Sequence, residues 1–214
     1  MLNTPRAYVE FSDIAAAFVH RLDELYGLYL DTTAGFNAAL KQFDQLQTQT
    51  AADLKMTRHQ LDSTDFFFGK GDPNDPQNIL QHRTTQGEYR RRNSPSGSNY
   101  SRLAQYLVIL VFHLWEQEYR VLLAEALGVD KATIRLPVIG DLRRLRNEIL
   151  KHRGVVSAST ARALEVIKFA EGDSIVFTPD QIFQVVRTVK AGIDTLVQDH
   201  TSHDPKHRTV WHIH

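Results

Sequence analysis

The sequence predicts an all-α fold: a helical bundle of about five to seven helices, with a long irregular loop and one short extended segment. Two observations support this prediction. Apolar residues recur at helical spacing over most of the chain, and glycine and proline concentrate in one polar stretch, residues 63–99. With 214 residues, 42% of them hydrophobic, the chain is long enough to bury a sizeable core. We therefore expect one helical domain over residues 1–214.

Long N-terminal helices are expected over residues 1–62. Apolar residues recur every three or four positions from about Val9 to Gln47, which indicates one long helix or two helices joined near Gly35. A shorter helix is expected to follow at about 51–61. Because the pattern continues across Gly35, the sequence leaves both arrangements of the first segment open.

Residues 63–99 interrupt the helical pattern. Glycine and proline punctuate a polar sequence here, so we expect a mobile, arginine-rich loop with a brief helix near residues 78–82. Loops of this length without secondary structure are uncommon in compact domains, and they are usually functional or mobile. This segment is therefore a candidate for ligand contact.

Residues 100–198 are expected to form a motif-bearing helical core. The predicted elements are a central helix at about 101–127, a helix at 138–152 that starts after Pro137, a helix at 159–169, an extended segment at 172–179, and a last helix to about 197. A histidine-rich tail, residues 199–214, ends the sequence. Closely spaced histidines can bind zinc, but nothing in the tail indicates a closed tetrahedral site, and we assign no metal to it.

Composition restricts the possible functions. The 25 Lys+Arg residues equal the 25 Asp+Glu residues, so any contact with nucleic acid has to be local. The absence of cysteine excludes disulfides, thiol catalysis and cysteine-bound zinc, and it favours a cytoplasmic location. The longest apolar run, residues 106–115, is too short to span a bilayer, so we expect no membrane association.

Chemistry is expected near the end of the 138–152 helix, where Arg146, Asn147 and His152 occur close together. On a helical wheel, Arg146 and His152 bracket an apolar stripe, about 120° and about 9 Å apart. They can converge only on something that lies across the helix face, such as a second helix or a twofold-related copy of this one. An alternative stays open, because cations before a glycine such as Gly154 are common at any helix end.

This arrangement of Arg146 and Asn147 followed by four residues and His152 resembles the Arg-x(4–6)-His motif of the HEPN superfamily. Many members of this family of all-helical domains cut RNA without a metal. The resemblance implies an endoribonuclease for single-stranded RNA that needs no cofactor and forms its cleft in a homodimer. It also implies kinship with toxins restrained by an antitoxin or another inhibitory partner, and with antiphage effectors.

The resemblance further implies a role for each motif residue. The RNA 2′-hydroxyl would attack the adjacent phosphorus, His152 would transfer protons, and Arg146 would stabilise charge on the phosphate oxygens. Asn147 would orient the scissile group or the histidine. Two other readings stay open: a non-catalytic dimeric scaffold, and a regulator that binds a nucleotide or RNA in the same cleft.

Two further groups are candidates for supporting roles. Glu116 and Arg120 form an i,i+4 pair on the central helix that would hold Arg146 or a phosphate in place, although a solvated surface pair explains the same spacing. In the predicted loop, arginines and one tyrosine would track RNA phosphates and stack a base. These candidate RNA-binding residues are Arg83, Tyr89, Arg90, Arg91 and Arg92.

Overall fold

The computed structural model describes residues 5–72 and 79–201. Its helices are α1 Pro5–Leu54, α2 Arg58–Asp62, α3 Gln86–Asn93, α4 Ser98–Leu114, α5 Arg120–Leu127, α6 Pro137–Lys151, α7 Ala158–Ala163 and α8 Pro179–Thr201. The strands are β1 Asp65–Lys70 and β2 Ile79–Thr85. A π-helical turn, Trp115–Tyr119, joins α4 to α5, and a 3-10 turn, Lys131–Thr133, precedes α6. The predicted helical fold class is confirmed.

The chain divides into two compact units. The first contains Met1–Tyr29 and Ala104–His214, and the second contains Leu30–Leu103. Helices α1 and α4 each contribute residues to both units. The division after Tyr29 falls within α1, which continues without interruption to Leu54.

The first unit buries one face of each of its long helices. Phe11, Phe18 and Leu22 of α1 are buried at helical spacing, and the Phe18 ring lies 5.3 Å from that of Trp115. The unit also buries apolar side chains of three further segments. These are Val138, Leu142 and Leu145 of α6, Ile175 and Phe177 of the extended segment, and Ile182, Val189 and Ile193 of α8.

Helix α4 buries one side of its apolar stretch and exposes another. Ala104, Val108 and Val111 are buried, whereas Tyr106 and Leu110 are 58% and 43% exposed. Residues 106–115 are apolar around most of the helix, so periodicity alone does not identify the side that packs. The outcome is an exposed apolar stripe on α4.

The irregular loop predicted at residues 63–99 is wrong for most of that segment. Strands β1 and β2 pair as an antiparallel hairpin in which Phe66 faces Thr84 and Phe67 faces Arg83, and α3 follows directly. A brief helix was expected near residues 78–82; residue 78 lies outside the described residues, and residues 79–82 are part of β2. Consecutive aromatic residues favour extended backbone, but the glycines and prolines around them suggested a loop.

The extended segment expected at residues 172–179 is confirmed by a bridge between Val155 and Ser174. In contrast, α7 ends at Ala163, earlier than predicted. The buried Asp141 carboxylate of α6 accepts hydrogen bonds from the backbone N–H groups of residues 165–167, which holds those residues outside a helix. His200 lies in α8, and the rest of the predicted histidine-rich tail, from residue 202, is outside the described residues.

Candidate functional site

Helix α6 positions the predicted motif. It begins with Pro137 at its first position and ends at Lys151, so that His152 is the C-terminal cap residue. Gly154 follows with a φ of 75°, a left-handed conformation that glycine adopts without strain. Leu142 and Leu145 lie on the apolar stripe that Arg146 and His152 bracket, and both are buried. The motif therefore lies at a helix end that the core fixes in place.

Arg146 is half-buried beside an aromatic ring. Its guanidinium carbon lies 5.6 Å from the centre of the Phe112 ring, and Nη1 donates a hydrogen bond to Asn147 Oδ1 at 3.2 Å. Arg120 and Arg144 pair with acids of their own helices. Among the described residues no carboxylate pairs with Arg146 in this way, so its charge is available to an anion.

His152 presents its imidazole to solvent. The side chain is 62% exposed, and Nε2 lies 3.9 Å from Oε2 of Glu148, one helical turn earlier. This separation is too long for a hydrogen bond but close enough for electrostatic attraction when the imidazole is protonated. The backbone N–H of His152 donates to the Glu148 carbonyl oxygen at 2.9 Å, which fixes the residue at the helix end.

Glu148 is a buried carboxylate that sequence reasoning missed. Burial opposes its ionisation, but hydrogen bonds from Ser157 and Thr160 outweigh that effect, and the pKa of Glu148 falls below its ordinary value. The Ser157 hydroxyl donates to Oε1 at 2.5 Å. Oε2 is buried without a hydrogen-bond partner among the described residues.

The two principal motif residues do not contact each other within one chain. Arg146 contacts Phe112 and Asn147, whereas the side-chain contact of His152 is with Glu148. This agrees with their separation on the helical wheel. The substrate, or a second copy of the helix, would therefore have to bridge them.

Glu116 and Arg120 form the predicted pair, in which Arg120 Nη1 donates to Glu116 Oε2 at 2.8 Å. Arg120 Nε donates to the carbonyl oxygen of Ile134 at 2.9 Å, and Lys131 Nζ donates to Glu116 at 2.9 Å. Burial raises the pKa of Glu116, but the hydrogen bonds from Lys131 and Arg120 bring it below its ordinary value. These residues join the π-helical turn to the segment before α6, which is a structural role.

Three of the candidate RNA-binding arginines have carboxylate partners. Asp62, the partner of Arg90 in the second unit, also accepts a hydrogen bond from the buried Gln47. Burial raises the pKa of Asp62, but the hydrogen bonds from Gln47 and Arg90 bring it below its ordinary value. Each pairing reduces the positive charge offered to a phosphate. The pairs are Arg83 with Asp65 at 2.5 Å, Arg90 with Asp62, and Arg91 with Glu88.

Tyr89 and Arg92 belong to an aromatic cluster of the second unit. The Tyr89 ring lies 4.8 Å from the rings of both Phe43 and Phe66. Tyr89 thus packs within the unit. Arg92 lies over the rings of Tyr89 and Phe68, at 5.6 Å and 5.7 Å, so a phosphate contact would use only its outer edge.

Two signals in the sequence pointed to Glu148 and its partner without identifying them. An acid four residues before a histidine lies on the same side of a helix as that histidine. Glu148 and His152 therefore have the spacing of neighbouring side chains. Ser157 proved to be the N-terminal cap of α7, where a serine is favoured. Neither signal predicted that the carboxylate would be buried, since burial depends on how α7 packs.

Within residues 5–72 and 79–201, no three histidine or acidic side chains gather as metal ligands would. Over the same residues, every helix is too short or too polar to cross a membrane. No protein-family model matches the chain, and comparison with curated proteins and with solved structures found no match either.

Proposed function

We propose that the protein is a metal-independent endoribonuclease that cuts single-stranded RNA with Arg146 and His152. The observation that carries the proposal is that two functional side chains occur together near one helix end. These are a half-buried guanidinium without a carboxylate partner among the described residues and an exposed imidazole six residues later. The resemblance of the motif to the HEPN pattern supports the same reading.

The chemistry uses only the RNA and these side chains. The imidazole of His152 takes the proton of the 2′-hydroxyl, and the 2′-oxygen forms a bond to the adjacent phosphorus. The bond from phosphorus to the 5′-oxygen breaks, and that oxygen receives a proton from imidazolium. Arg146 donates hydrogen bonds to the non-bridging oxygens as their negative charge grows. The products are a 2′,3′-cyclic phosphate and a 5′-hydroxyl.

A second copy of the chain completes the proposed site. Leu150, one turn after Arg146, is 56% exposed, and Tyr106 and Leu110 expose an apolar stripe on α4. Exposed apolar side chains beside a polar motif are typical of an interface. A twofold axis through this surface would set two arginines and two histidines around one RNA strand.

The test is cleavage of a mixed-sequence single-stranded RNA in the presence of EDTA. We expect wild type to produce cyclic phosphate ends. Arg146→Ala should reduce the rate about 10²–10³-fold, because one donor to the developing charge is lost. His152→Ala should reduce it about 10²–10⁴-fold, because proton transfer is lost.

Matched controls come from the same unit. Arg143→Ala removes an exposed arginine of α6, and His20→Ala removes an exposed histidine of α1. Both should cut like wild type. A wild type without activity on any RNA, or equal rates in all variants, would reject the proposal.

The second candidate is a non-catalytic dimeric scaffold, which the exposed apolar residues Tyr106, Leu110 and Leu150 favour. In that case His152→Ala would weaken dimerisation, and wild type would neither cut RNA nor slow growth when expressed. The nuclease proposal expects the reverse: growth arrest with wild type, relieved by His152→Ala while the dimer persists.

A further inference from the structure

The buried end of α6 contains a carboxylate oxygen that its own surroundings leave unsatisfied. Glu148 is 3% exposed, and its two carboxylate oxygens differ in their hydrogen bonding. Oε1 accepts hydrogen bonds from the hydroxyl and the backbone N–H of Ser157. Oε2 has no hydrogen-bond partner among the described residues, and it lies on the side of His152. An unsatisfied buried oxygen is costly, so a second partner is expected to supply the missing interaction.

We propose that Glu148 is the positioning residue for His152, holding the imidazole by its free carboxylate oxygen while Arg146 and His152 act on the RNA phosphate. The inference deepens the proposed nuclease function and rests on it. A small rotation of the exposed imidazole closes the present 3.9 Å to a hydrogen bond when substrate binds. The carboxylate then fixes the ring orientation and stabilises the imidazolium formed during the reaction.

The surroundings favour a fixed carboxylate. Ser157 and Thr160, from the start of α7, act on Glu148 and favour its ionised form, and protonated His152 adds to the same effect. The charged groups beside His152 on its own segment are Lys151 and Arg153, both exposed. A base oriented by a third, buried group is the arrangement that nucleophile activation requires in many enzymes.

The activity test compares Glu148→Gln with Glu118→Gln. We expect Glu148→Gln to lower kcat roughly 10–100-fold at an unchanged KM, the usual loss when a partner that orients an active group is removed. The pH–rate limb that reports on His152 should move toward lower pH, because no carboxylate stabilises the imidazolium. Glu118→Gln removes an exposed carboxylate of the same unit and should leave this limb in place. Equal limbs in wild type and Glu148→Gln would overturn the proposal.

A second measurement does not depend on the folding of a Glu148 variant. The carboxyl carbon of Glu148, assigned through bonds by NMR, is titrated in wild type, His152→Gln and His20→Gln. We expect the pKa of Glu148 to rise in His152→Gln, since a neighbouring positive charge is lost, and to stay unchanged in the His20→Gln control. An unchanged value in His152→Gln would overturn the pairing.

The two measurements separate the two proposals. A wild type that cuts no RNA rejects the nuclease function, and the titration still reports whether Glu148 and His152 interact. A nuclease whose Glu148 titrates independently of His152 keeps the function and rejects the positioning role.

Discussion

At the scale of single residues, helix α6 contains two buried acids, Glu148 and Asp141, which have different partners. Burial raises the pKa of Glu148, but hydrogen bonds from Ser157 and Thr160 bring it below its ordinary value, whereas the exposed His152 lies 3.9 Å away. Asp141 is also buried, and it accepts three backbone N–H groups from residues 165–167. One acid thus holds a loop, and the other faces the candidate site.

The lowered pKa of Glu148 predicts how stability depends on pH. The fold stabilises the ionised form, so this contribution is complete above the ordinary value of 4.5 and is lost as the pH falls through the lower folded-state pKa. Glu148→Gln should lower the free energy of unfolding by about 1–3 kcal/mol near neutral pH and by less in acid. Urea denaturation at both pH values measures the difference.

The exposed Glu118 offers a control for that experiment. Glu118→Gln should change the free energy of unfolding by less than about 0.5 kcal/mol at either pH. An equal loss for Glu148→Gln near neutrality and in acid would contradict the linkage argument.

At the scale of elements, helix ends and hairpins differ in how well sequence predicts them. Helix α6 starts at Pro137 and stops before Gly154 as the sequence indicated, because both signals act locally. The hairpin was missed because a strand is stabilised by its partner. Phe66 packs against Phe43 and Tyr89, which lie 23 residues away along the chain in either direction. The glycines and prolines near the hairpin gave no information about those contacts.

The register of the hairpin leads to a prediction about its aromatic residues. Phe66 packs inward, whereas Phe67 is 55% exposed beneath Arg83. Phe66→Ala should lower the free energy of unfolding by about 1–2 kcal/mol, because the half-buried ring contributes part of what full burial of a phenylalanine would. Phe67→Ala should cost less than about 0.5 kcal/mol. Chemical denaturation of both variants checks this, and the reverse order would show that the register is shifted by one residue.

At the scale of the whole molecule, the proposed composite cleft requires self-association. We expect wild type to sediment as a dimer and Leu150→Glu to raise its dissociation constant at least about tenfold, because a charge would enter an apolar interface. Leu54→Glu is the matched control, since Leu54 is exposed to a similar extent but lies in the second unit. A monomeric wild type, or equal weakening by the two variants, would remove the shared-cleft hypothesis.

The sequence alone determined the helical class, the helical character of the N-terminal segment, the placement of the motif near the end of α6, and an extended segment before the last helix. These features depend on periodicity and on local signals such as Pro137 and Gly154. Only the tertiary structure decided which side of α4 is exposed, which arginines have acidic partners, and that Glu148 lies buried beside His152. Those outcomes depend on contacts between residues far apart in sequence, which no local pattern encodes.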